Sequence, residues 1–389
     1  MIGNNKMQEN IDKFKQLYGD EGEILVFHSP GRVNLIGEHT DYNGGYVFPC
    51  ALSLGTYGYV RKRDDTMLRL ASTNFELQVT TDVKALKYEK KHGWGNYLKG
   101  VVSLFVQKGF DISGMDILIS GNIPNSSGLS SSASVEMLMA FILNSLFDCR
   151  IGLMELVKIA QKSEHEFIGV NCGIMDQFSI GFGKKDMAML LNCKTLDYEY
   201  VPVRLLEHCI VITNTNKPRG LAGSKYNERC EECAKALMAL QSKITADFLC
   251  DISPEQFDEY ENLIKEETIR KRARHVIHEN ARALKSSKCL RANNLEVFGE
   301  LMNRSHLSLR ELYDVTGFEL DTLAEAAWSV PGTIGSRMTG AGFGGCTVSL
   351  VQKNSVEEFK ALVAERYKAK TGLSADFYIA EIGDGVKQI

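Results

Sequence analysis

Long hydrophobic runs are missing from this chain of 389 residues. No apolar stretch approaches the ~18 residues that a membrane-spanning helix requires, and the polar residues 1–20 lack the apolar centre of a secretory signal. An excess of one charge is also missing, since the net charge is −4, which argues against broad binding to nucleic acids. These absences predict a cytoplasmic protein that binds neither membrane nor nucleic acid.

Cysteine patterns typical of metal sites are absent as well. The ten cysteines are scattered, many within apolar stretches, as expected for reduced thiols in a core. Cys230 and Cys233 form one C-x-x-C pair in a helix-like run, with no second pair to complete a zinc site. His165 and Glu166 would begin a zinc-protease motif, but the residue four positions after His165 is Gly169. The sequence therefore predicts neither kind of zinc site.

The length and the apolar pattern predict an α+β protein of two domains. A chain of this length, with 44% hydrophobic and 24% charged residues, exceeds one ordinary hydrophobic core. Strand-like and helix-like runs interleave without a repeated βα unit, which favours α+β over a doubly wound sheet. We expect domains at residues 1–205 and 206–389, because the pattern changes near residue 205.

Alternating and β-branched runs predict strands, and apolar residues spaced by three and four predict helices. The predicted strands are residues 24–29, 46–60, 67–71, 76–80, 115–120, 187–192, 196–202, 208–214, 345–352 and 375–382. The predicted helices are residues 96–108, 132–147 and 152–166, and a mostly helical stretch runs from residue 225 to about residue 312.

A loop of small residues precedes one of these helices. Residues 126–134 read SSGLSSSAS and lead directly into an apolar helix. Glycine lets the backbone approach an anion, and the free amides and the dipole of a helix N-terminus favour negative charge. The segment predicts a phosphate-binding loop, whose serine hydroxyls could add hydrogen bonds or a magnesium ligand. A solvated serine-rich turn before an ordinary helix is the alternative.

Two commoner nucleotide-binding patterns are absent. No G-x-x-x-x-G-K-[ST] segment occurs, because residues 181–184, GFGK, have the wrong spacing and are followed by Lys185. The His-Arg-Asp and Asp-Phe-Gly signatures of protein kinases are missing too. The loop at 126–134 is left as the phosphate site.

A dense polar segment lies near the N-terminus. Residues 31–45 read GRVNLIGEHTDYNGG and lie between two strand-like runs. Carboxylates accept paired hydrogen bonds from neighbouring hydroxyls, so Glu38, His39 and Asp41 together suggest a site for a hydroxyl-rich ligand. A charged surface turn is the alternative. A third segment, residues 338–346, MTGAGFGGC, indicates close backbone approach or a strained turn.

In this order and spacing, the three segments resemble the signature motifs of the galactokinase, homoserine kinase, mevalonate kinase and phosphomevalonate kinase (GHMP) superfamily. The segment at 31–45 is similar to the signature of the galactokinase family within it. Further similarity lies in residues 173–178, GIMDQF, 223–227, GSKYN, and 330–337, VPGTIGSR. The resemblance spans nearly the whole chain and implies two α+β domains with the active site in the cleft between them.

The resemblance also implies roles for individual residues. It assigns Asp176 as the catalytic base, with Arg32 beside it. It places the sugar against Glu38, His39, Thr40, Asp41, Gly173 and Tyr226. An aspartate kept ionised by a guanidinium is a weak base, so Asp176 either takes the proton or mainly orients the hydroxyl, and both readings stay open. Without the resemblance, an aspartate here would most often cap a helix.

For the nucleotide and its metal, the resemblance points to a separate set of residues. ATP would contact Ser72, Trp94, Ser126, Ser127, Gly128, Leu129, Ser130, Ser131 and Ser132. Mg²⁺ would be held by Ser132 and Glu164, since this ion prefers oxygen ligands. Packing in the core is the alternative for Trp94, and a solvated helix position is the alternative for Glu164.

The chain departs from the family pattern at a few positions. Asn122 replaces a usual Asp, Ser126 lies near a usual Gly, and Lys225 replaces a common Glu. These changes bear on nucleotide and sugar affinity. The function we expect is ATP-dependent phosphorylation of the C1 hydroxyl of α-D-galactose by a monomer or weak dimer. An N-acetylgalactosamine kinase and a catalytically inactive galactose and ATP sensor are the alternatives.

Overall fold

The structure, a computed structural model, describes residues 3–124, 128–217 and 222–389. Its helices are α1 Asn4–Tyr18, α2 Gly95–Gln107, α3 Ser131–Leu146, α4 Leu153–Ser163, α5 Met175–Phe182, α6 Ala222–Leu240, α7 Pro254–Tyr260, α8 Glu267–Arg291, α9 Leu295–Ser308, α10 Gly317–Trp328 and α11 Val356–Thr371. Its strands are β1 Leu25–Asn34, β2 Tyr46–Val47, β3 Pro49–Lys62, β4 Met67–Ser72, β5 Val79–Asp82, β6 Met115–Gly121, β7 Met187–Asn192, β8 Tyr198–Pro202, β9 His208–Asn214, β10 Thr333–Thr339, β11 Cys346–Gln352, β12 Asp376–Ala380 and β13 Lys387–Gln388.

A six-stranded sheet forms the centre of the N-terminal part of the fold. Its order is β13-β1-β3-β6-β4-β5, and the pair β4 and β6 is parallel while the other described pairs are antiparallel. Helices α2 to α5 bury their apolar side chains on one face of this sheet, where they share a core with Phe27 and Ile117. Helix α1 covers part of the other face through Phe14, which packs against Tyr57 and Tyr59.

Two smaller sheets complete the fold. Strands β10, β11, β9 and β12 form a four-stranded antiparallel sheet in that order, and β2, β7 and β8 form a three-stranded one. Helices α10 and α11 pack on the four-stranded sheet around Phe359. Strand β13, at the end of the chain, pairs with β1 of the first sheet. Residues 387–388 therefore lie against the N-terminal sheet.

The pattern of apolar residues correctly predicts most of these elements. The predicted hairpin is present as β7 and β8, and the long helical stretch after residue 225 is present as α6 to α9. The prediction of one strand over 46–60 is wrong, because β2 and β3 belong to different sheets. Helices α1, α5, α10 and α11 and strands β10 and β13 were not predicted. The polar residues of α1 and α11 face solvent along most of their length, so their apolar stripe is weak in the sequence.

Two short π-helical turns extend helices close to the site. The turn Glu164–Ile168 follows α4, and the turn Leu309–Tyr313 follows α9. Such turns often occur at functional sites, because the extra residue redirects the side chains around it. Here they carry Glu164 and Tyr313 toward the same region of the molecule.

Within the described parts of the chain, no helix is long and apolar enough to cross a membrane.

Candidate active site

A cavity of about 230 Å³ opens where β1, α5, α6 and the loop after β10 meet. Most of the predicted catalytic and sugar-contacting residues line it, namely Arg32, Glu38, His39, Asp41, Gly173, Asp176 and Tyr226. Glu164 of the predicted metal site and the backbone of Gly340 and Ala341 complete part of its wall. Residues far apart in the sequence thus share one concave site, which is the usual form of a small-molecule site.

Arg32 and Asp176 form a hydrogen-bonded ion pair at one end of the cavity. Two nitrogens of the Arg32 guanidinium lie 2.8 Å and 2.6 Å from Oδ1 of Asp176. The Arg32 side chain is 4% exposed and that of Asp176 is 28% exposed. A further hydrogen bond fixes the guanidinium, since its Nη1 donates to the carbonyl of Gly128 over 2.6 Å. Arg32 therefore presents a fixed positive charge, and the carboxylate beside it faces the cavity.

The local structure around this pair differs from the sequence prediction. Arg32 lies inside β1, next to a register shift between Pro30 and Arg32, so the polar segment does not start as a loop between strands. Asp176 lies in the first turn of α5, a helix that was not predicted from the sequence. The first turn of a helix favours a carboxylate, because the free amides there carry partial positive charge. Helix α5 thus fixes the direction of the Asp176 side chain.

The predicted phosphate loop reaches the same point. Ser130 adopts a left-handed conformation with φ 58°, immediately before α3 begins, and its hydroxyl donates to Oδ2 of Asp176 over 2.5 Å. The Leu129 carbonyl accepts a hydrogen bond from the Arg32 amide. Ser131, the first residue of α3, is exposed. The N-terminus of a 16-residue helix therefore opens beside the ion pair. Ser126 and Ser127 lie outside the described residues.

Asp41 and Gly173 fit closely against each other. A Cβ atom on Gly173 would lie 1.8 Å from Oδ2 of Asp41, which is too close for any side chain. Burial, together with the negative charge of Asp176, raises the pKa of Asp41 to about 6. Thr40 has a different place, since its buried hydroxyl lies 2.8 Å from the carbonyls of both Gly37 and Tyr46 and does not line the cavity. Thr40 holds the loop, whereas Asp41 faces the ligand space.

Aromatic rings surround His39. Its ring centroid lies 5.8 Å from that of Tyr226 and 4.7 Å from that of Tyr313. Its Nδ1 lies 3.0 Å from the hydroxyl of Tyr42, which lies 2.7 Å from the hydroxyl of Tyr313. Burial lowers the pKa of His39 to about 3. The imidazole is therefore neutral at pH 7 and offers one donor and one acceptor.

Glu38 links the polar segment at residues 31–45 to the glycine-rich loop at residues 338–346. Its side chain is buried, and Oε1 accepts a hydrogen bond of 2.6 Å from the Gly340 amide. Burial raises the pKa of Glu38 to about 7, although the positive charge of Arg337 opposes this. The glycine-rich loop thus owes part of its position to a carboxylate that also lines the cavity.

The predicted metal ligands lie side by side. The Ser132 hydroxyl is 3.3 Å from Oε1 of Glu164, and Nε2 of Gln177 donates to Oε2 of Glu164 over 2.8 Å. The same Nε2 is 3.2 Å from Oε2 of Glu136, a fully buried carboxyl whose Oε1 has no hydrogen-bond partner among the described residues. Burial raises the pKa values of Glu164 and Glu136. No cluster of three or more His, Cys, Asp or Glu side chains suited to a metal occurs in the described chain.

Ser72 and Trp94 do not line this cavity. Ser72 ends β4, and its hydroxyl accepts a hydrogen bond from the Asn74 amide. Trp94 precedes α2, donates to the Leu77 carbonyl over 3.2 Å and stacks on Phe75 with ring centroids 6.4 Å apart. Phe75 is 45% exposed, so this stack forms a partly open aromatic surface.

Several contact residues were not predicted from the sequence. Glu136, Gln177, Tyr42, Tyr313 and Cys172 contact or line the site. A signal existed for Glu136, because a lone acidic residue within the apolar helix α3 is unusual. Tyr313 had no such signal, since it reaches His39 only through the packing of the turn after α9.

Comparison with known proteins assigns the family. The chain matches the model described as "Galactokinase galactose-binding signature" over residues 12–62, and the GHMP kinases N terminal domain and C terminal models over residues 96–184 and 286–369. It is 52% identical to a galactokinase of Clostridium tetani, over 99% of this chain and 98% of the relative. The chain belongs to the galactokinase family. A galactokinase of Bacillus subtilis is also 52% identical, over 97% of both chains.

Solved structures agree with this family. A Lactococcus lactis galactokinase complexed with galactose superposes with a TM-score of 0.96 at 47% identity, covering 99% of this chain and 100% of the other. The mevalonate kinase of Methanococcus jannaschii, at 20% identity and a TM-score of 0.66, shares the fold over 94% of this chain and 100% of its own. The resemblance seen in the motifs and the α+β fold expected from it are confirmed.

Proposed function

We propose that the chain transfers the γ-phosphoryl group of ATP to the C1 hydroxyl of α-D-galactose, giving galactose 1-phosphate and ADP and so admitting galactose to catabolism. The observation that carries the proposal is the joint contact of Arg32, Asp176 and Ser130. There the cavity lined by the galactokinase signature meets the N-terminus of α3. Such a junction can hold an acceptor hydroxyl next to a nucleotide phosphate, which is the proximity that phosphoryl transfer requires.

The sugar end of the cavity uses Asp41, Glu38, His39, Tyr226 and the backbone of Gly173. Asp41 and Glu38 supply acceptors for neighbouring ring hydroxyls, and the Tyr226 ring offers an apolar face to the sugar. A pair of fixed acceptors rejects a sugar whose hydroxyl points elsewhere, because a buried acceptor would then stay unpaired. The cavity thus favours a hexose with a defined pattern of hydroxyls.

Asp176 orients the nucleophile. Its Oδ2 accepts one hydrogen bond from Ser130, and a carboxylate oxygen can accept a second, here from the C1 hydroxyl. Arg32 neutralises charge that develops on the transferred group, and the amides at the start of α3 do the same for the nucleotide phosphates. In a loose, metaphosphate-like transition state the proton leaves late, so a weak base suffices.

Mg²⁺ fits the donors Ser132 and Glu164. Both offer hard oxygens within 3.3 Å of each other beside the phosphate loop, and this ion keeps most of its ligands as water and phosphate. When bound, it neutralises charge on the nucleotide phosphates. Glu164 is held for this task by Gln177, which bonds its other oxygen. The nucleoside would extend from here toward Ser72 and the Trp94 surface.

We infer that the site lies between two units, residues 1–205 and 206–389. Arg32 and Asp176 line it from the first unit, and Tyr226 and Gly340 line it from the second. The break falls between β8 and β9, and β13 returns to the first sheet. We propose that the enzyme works as a monomer or weak dimer.

A substitution of Asp176 tests the proposal. Asp176→Asn should reduce turnover by about 10²–10⁴-fold, the usual contribution of a positioned acid or base, while galactose binding measured by calorimetry stays near wild type. Asp148→Asn is the control, because the exposed Asp148 forms an ion pair with the exposed Arg150 and does not line the cavity. ADP release would be measured with galactose, N-acetylgalactosamine and no sugar. Turnover of Asp176→Asn above about a tenth of wild type, or no ADP release with galactose, would contradict the proposal.

A further inference from the structure

We propose that Arg337 is a positioning residue for two loops, acting through the carboxylate of Glu38. One is the sugar loop, residues 35–45 between β1 and β2, and the other is the phosphate loop that precedes α3. Arg337 ends the VPGTIGSR segment, and it lies on β10 without lining the cavity. The inference rests on the proposed sugar site, and it assigns a role to a buried charge that the reaction itself does not use.

The guanidinium of Arg337 is fully buried and points toward the polar segment at residues 31–45. Its Nη1 donates to the carbonyl of Asn34 over 3.0 Å and lies 3.3 Å from Oε1 of Glu38. Its Nε and Nη2 have no hydrogen-bond partner within the described parts of the chain. The contacts with Glu38 and with the Asn34 carbonyl, together with the negative charge of nearby Glu279, therefore compensate for burying this charge.

Glu38 is fixed by contacts from several elements. Besides Arg337, the Gly340 amide donates to Oε1, and the side-chain amide of Asn34 donates to Oε2. The backbone carbonyl of Glu38 lies 3.2 Å from Nε2 of His275 on α8. The charged groups that face its carboxyl are Arg337, Arg32 and Glu279.

The hydrogen bond to Gly340 carries this arrangement to the phosphate loop. Gly340 has φ 83°, a conformation that suits glycine, and a Cβ there would lie 3.0 Å from the carbonyl of Gly128. That carbonyl also accepts the hydrogen bond from Nη1 of Arg32. A shift of Glu38 would therefore move Gly340 against Gly128 and Arg32, so one buried arginine links the sugar loop to the catalytic pair.

Stability alone does not explain such a pair. Replacing a buried ion pair with apolar residues of similar volume is often neutral or stabilising, because removing charges from water is costly. A carboxylate that lines the cavity can accept a hydrogen bond from a sugar hydroxyl only if it is held in the right orientation. We infer that Arg337 sets that orientation.

The test compares Arg337→Met with Arg61→Met. Arg61 is a partly buried arginine whose Nη2 lies 3.0 Å from Oδ2 of the buried Asp116, outside the cavity, so it controls for the loss of a largely buried ion pair. Arg337→Met should weaken galactose binding, measured by calorimetry without nucleotide, by about tenfold or more, as expected when a charged hydrogen bond is lost. It should also raise the ATP KM, since Gly340 is released. Arg61→Met should lower thermal stability but leave both values near wild type.

A pH series gives a readout that a merely structural role would not move. Arg337 holds down the pKa of Glu38, so in Arg337→Met the fall of galactose affinity with decreasing pH should begin at higher pH. The double variant Glu38→Gln with Arg337→Met should regain thermal stability, because the unpaired carboxylate is gone, but not galactose affinity. If Arg337→Met fails to fold, this double variant takes its place. It is then compared with Glu38→Gln alone: because Arg337 acts through Glu38, the two variants should bind galactose within about twofold of each other, and a further loss in the double variant would contradict the inference.

The inference is overturned if the folded Arg337→Met protein binds galactose within about twofold of wild type and its pH profile is unchanged. It is also overturned if Arg61→Met weakens galactose binding equally, because the effect would then be general destabilisation. Asp41→Asn separates this failure from that of the sugar site. If Asp41→Asn leaves galactose affinity unchanged, the sugar site itself is misplaced.

Discussion

Gly173→Ala should damage the sugar site through a single methyl group. The added Cβ would lie 1.8 Å from Oδ2 and 2.5 Å from Cγ of Asp41. Non-bonded carbon and oxygen atoms keep far larger separations, so the carboxylate would have to move by more than about 1 Å. Asp41 cannot move freely, since it is partly buried and begins the short turn Asp41–Asn43.

The expected loss follows from this displacement. A hydrogen bond to a charged group is worth about 1.5–3 kcal/mol, so displacing the Asp41 carboxylate should lower galactose affinity by about 10- to 100-fold. Strain from the added methyl should lower the free energy of unfolding by about 1–3 kcal/mol. Calorimetry of galactose binding and denaturant unfolding measure the two effects separately.

Two comparisons make the result decisive. Gly152→Ala is the matched control, because a Cβ there meets no atom within 4 Å and its φ of −66° suits alanine. In an Asp41→Ala background the new methyl has room, so the stability cost of Gly173→Ala should largely disappear. If Gly173→Ala binds galactose within about twofold of wild type, the contact between Asp41 and Gly173 does not shape the sugar site.

Three further predictions concern pH and metal. Galactose binding should weaken as the pH falls through about 6, where the carboxyl of Asp41 takes up a proton, and Asp41→Asn should flatten that part of a calorimetric pH series. The effect on folding has the opposite sign: because the pKa of Asp41 is raised above 3.8, its stabilising contribution is complete below that pH and is lost as the pH rises through about 6. Glu164→Gln should raise the magnesium concentration that gives half-maximal rate and weaken Mn²⁺ binding seen by electron paramagnetic resonance, with galactose affinity unchanged; an unaltered metal titration would place the ligand elsewhere. Burial lowers the pKa of His28 from 6.5 to about 4, so it contributes about 3 kcal/mol of stability above pH 6.5 that is lost as the pH falls toward 4. His28→Phe should flatten this loss in denaturant unfolding at pH 4 to 7, and an unchanged slope would refute the assignment.

The sequence predicted local structure best where the residue types of one short segment determine its backbone conformation. The phosphate loop is an example, since glycine and serines directly before an apolar helix indicate an exposed helix N-terminus, and α3 begins there. The prediction was weaker where one continuous apolar segment contributes strands to two different sheets. Residues 46–60 read as one strand, but β2 pairs with β7 while β3 pairs with β1 and β6.

By itself, the sequence determined the family, the α+β class and most of the residue types that the site needs. Motifs suffice for this because each one specifies backbone conformation and chemistry within a few neighbouring residues. Only the tertiary structure decided which of those residues meet. Arg32 and Asp176 are 144 positions apart, and Glu38 and Gly340 are 302 positions apart, yet each pair is joined by a hydrogen bond. Contacts of this kind, and the burial that shifts the pKa values of Asp41 and Glu38, depend on how distant elements pack, and no local pattern of residues records that packing.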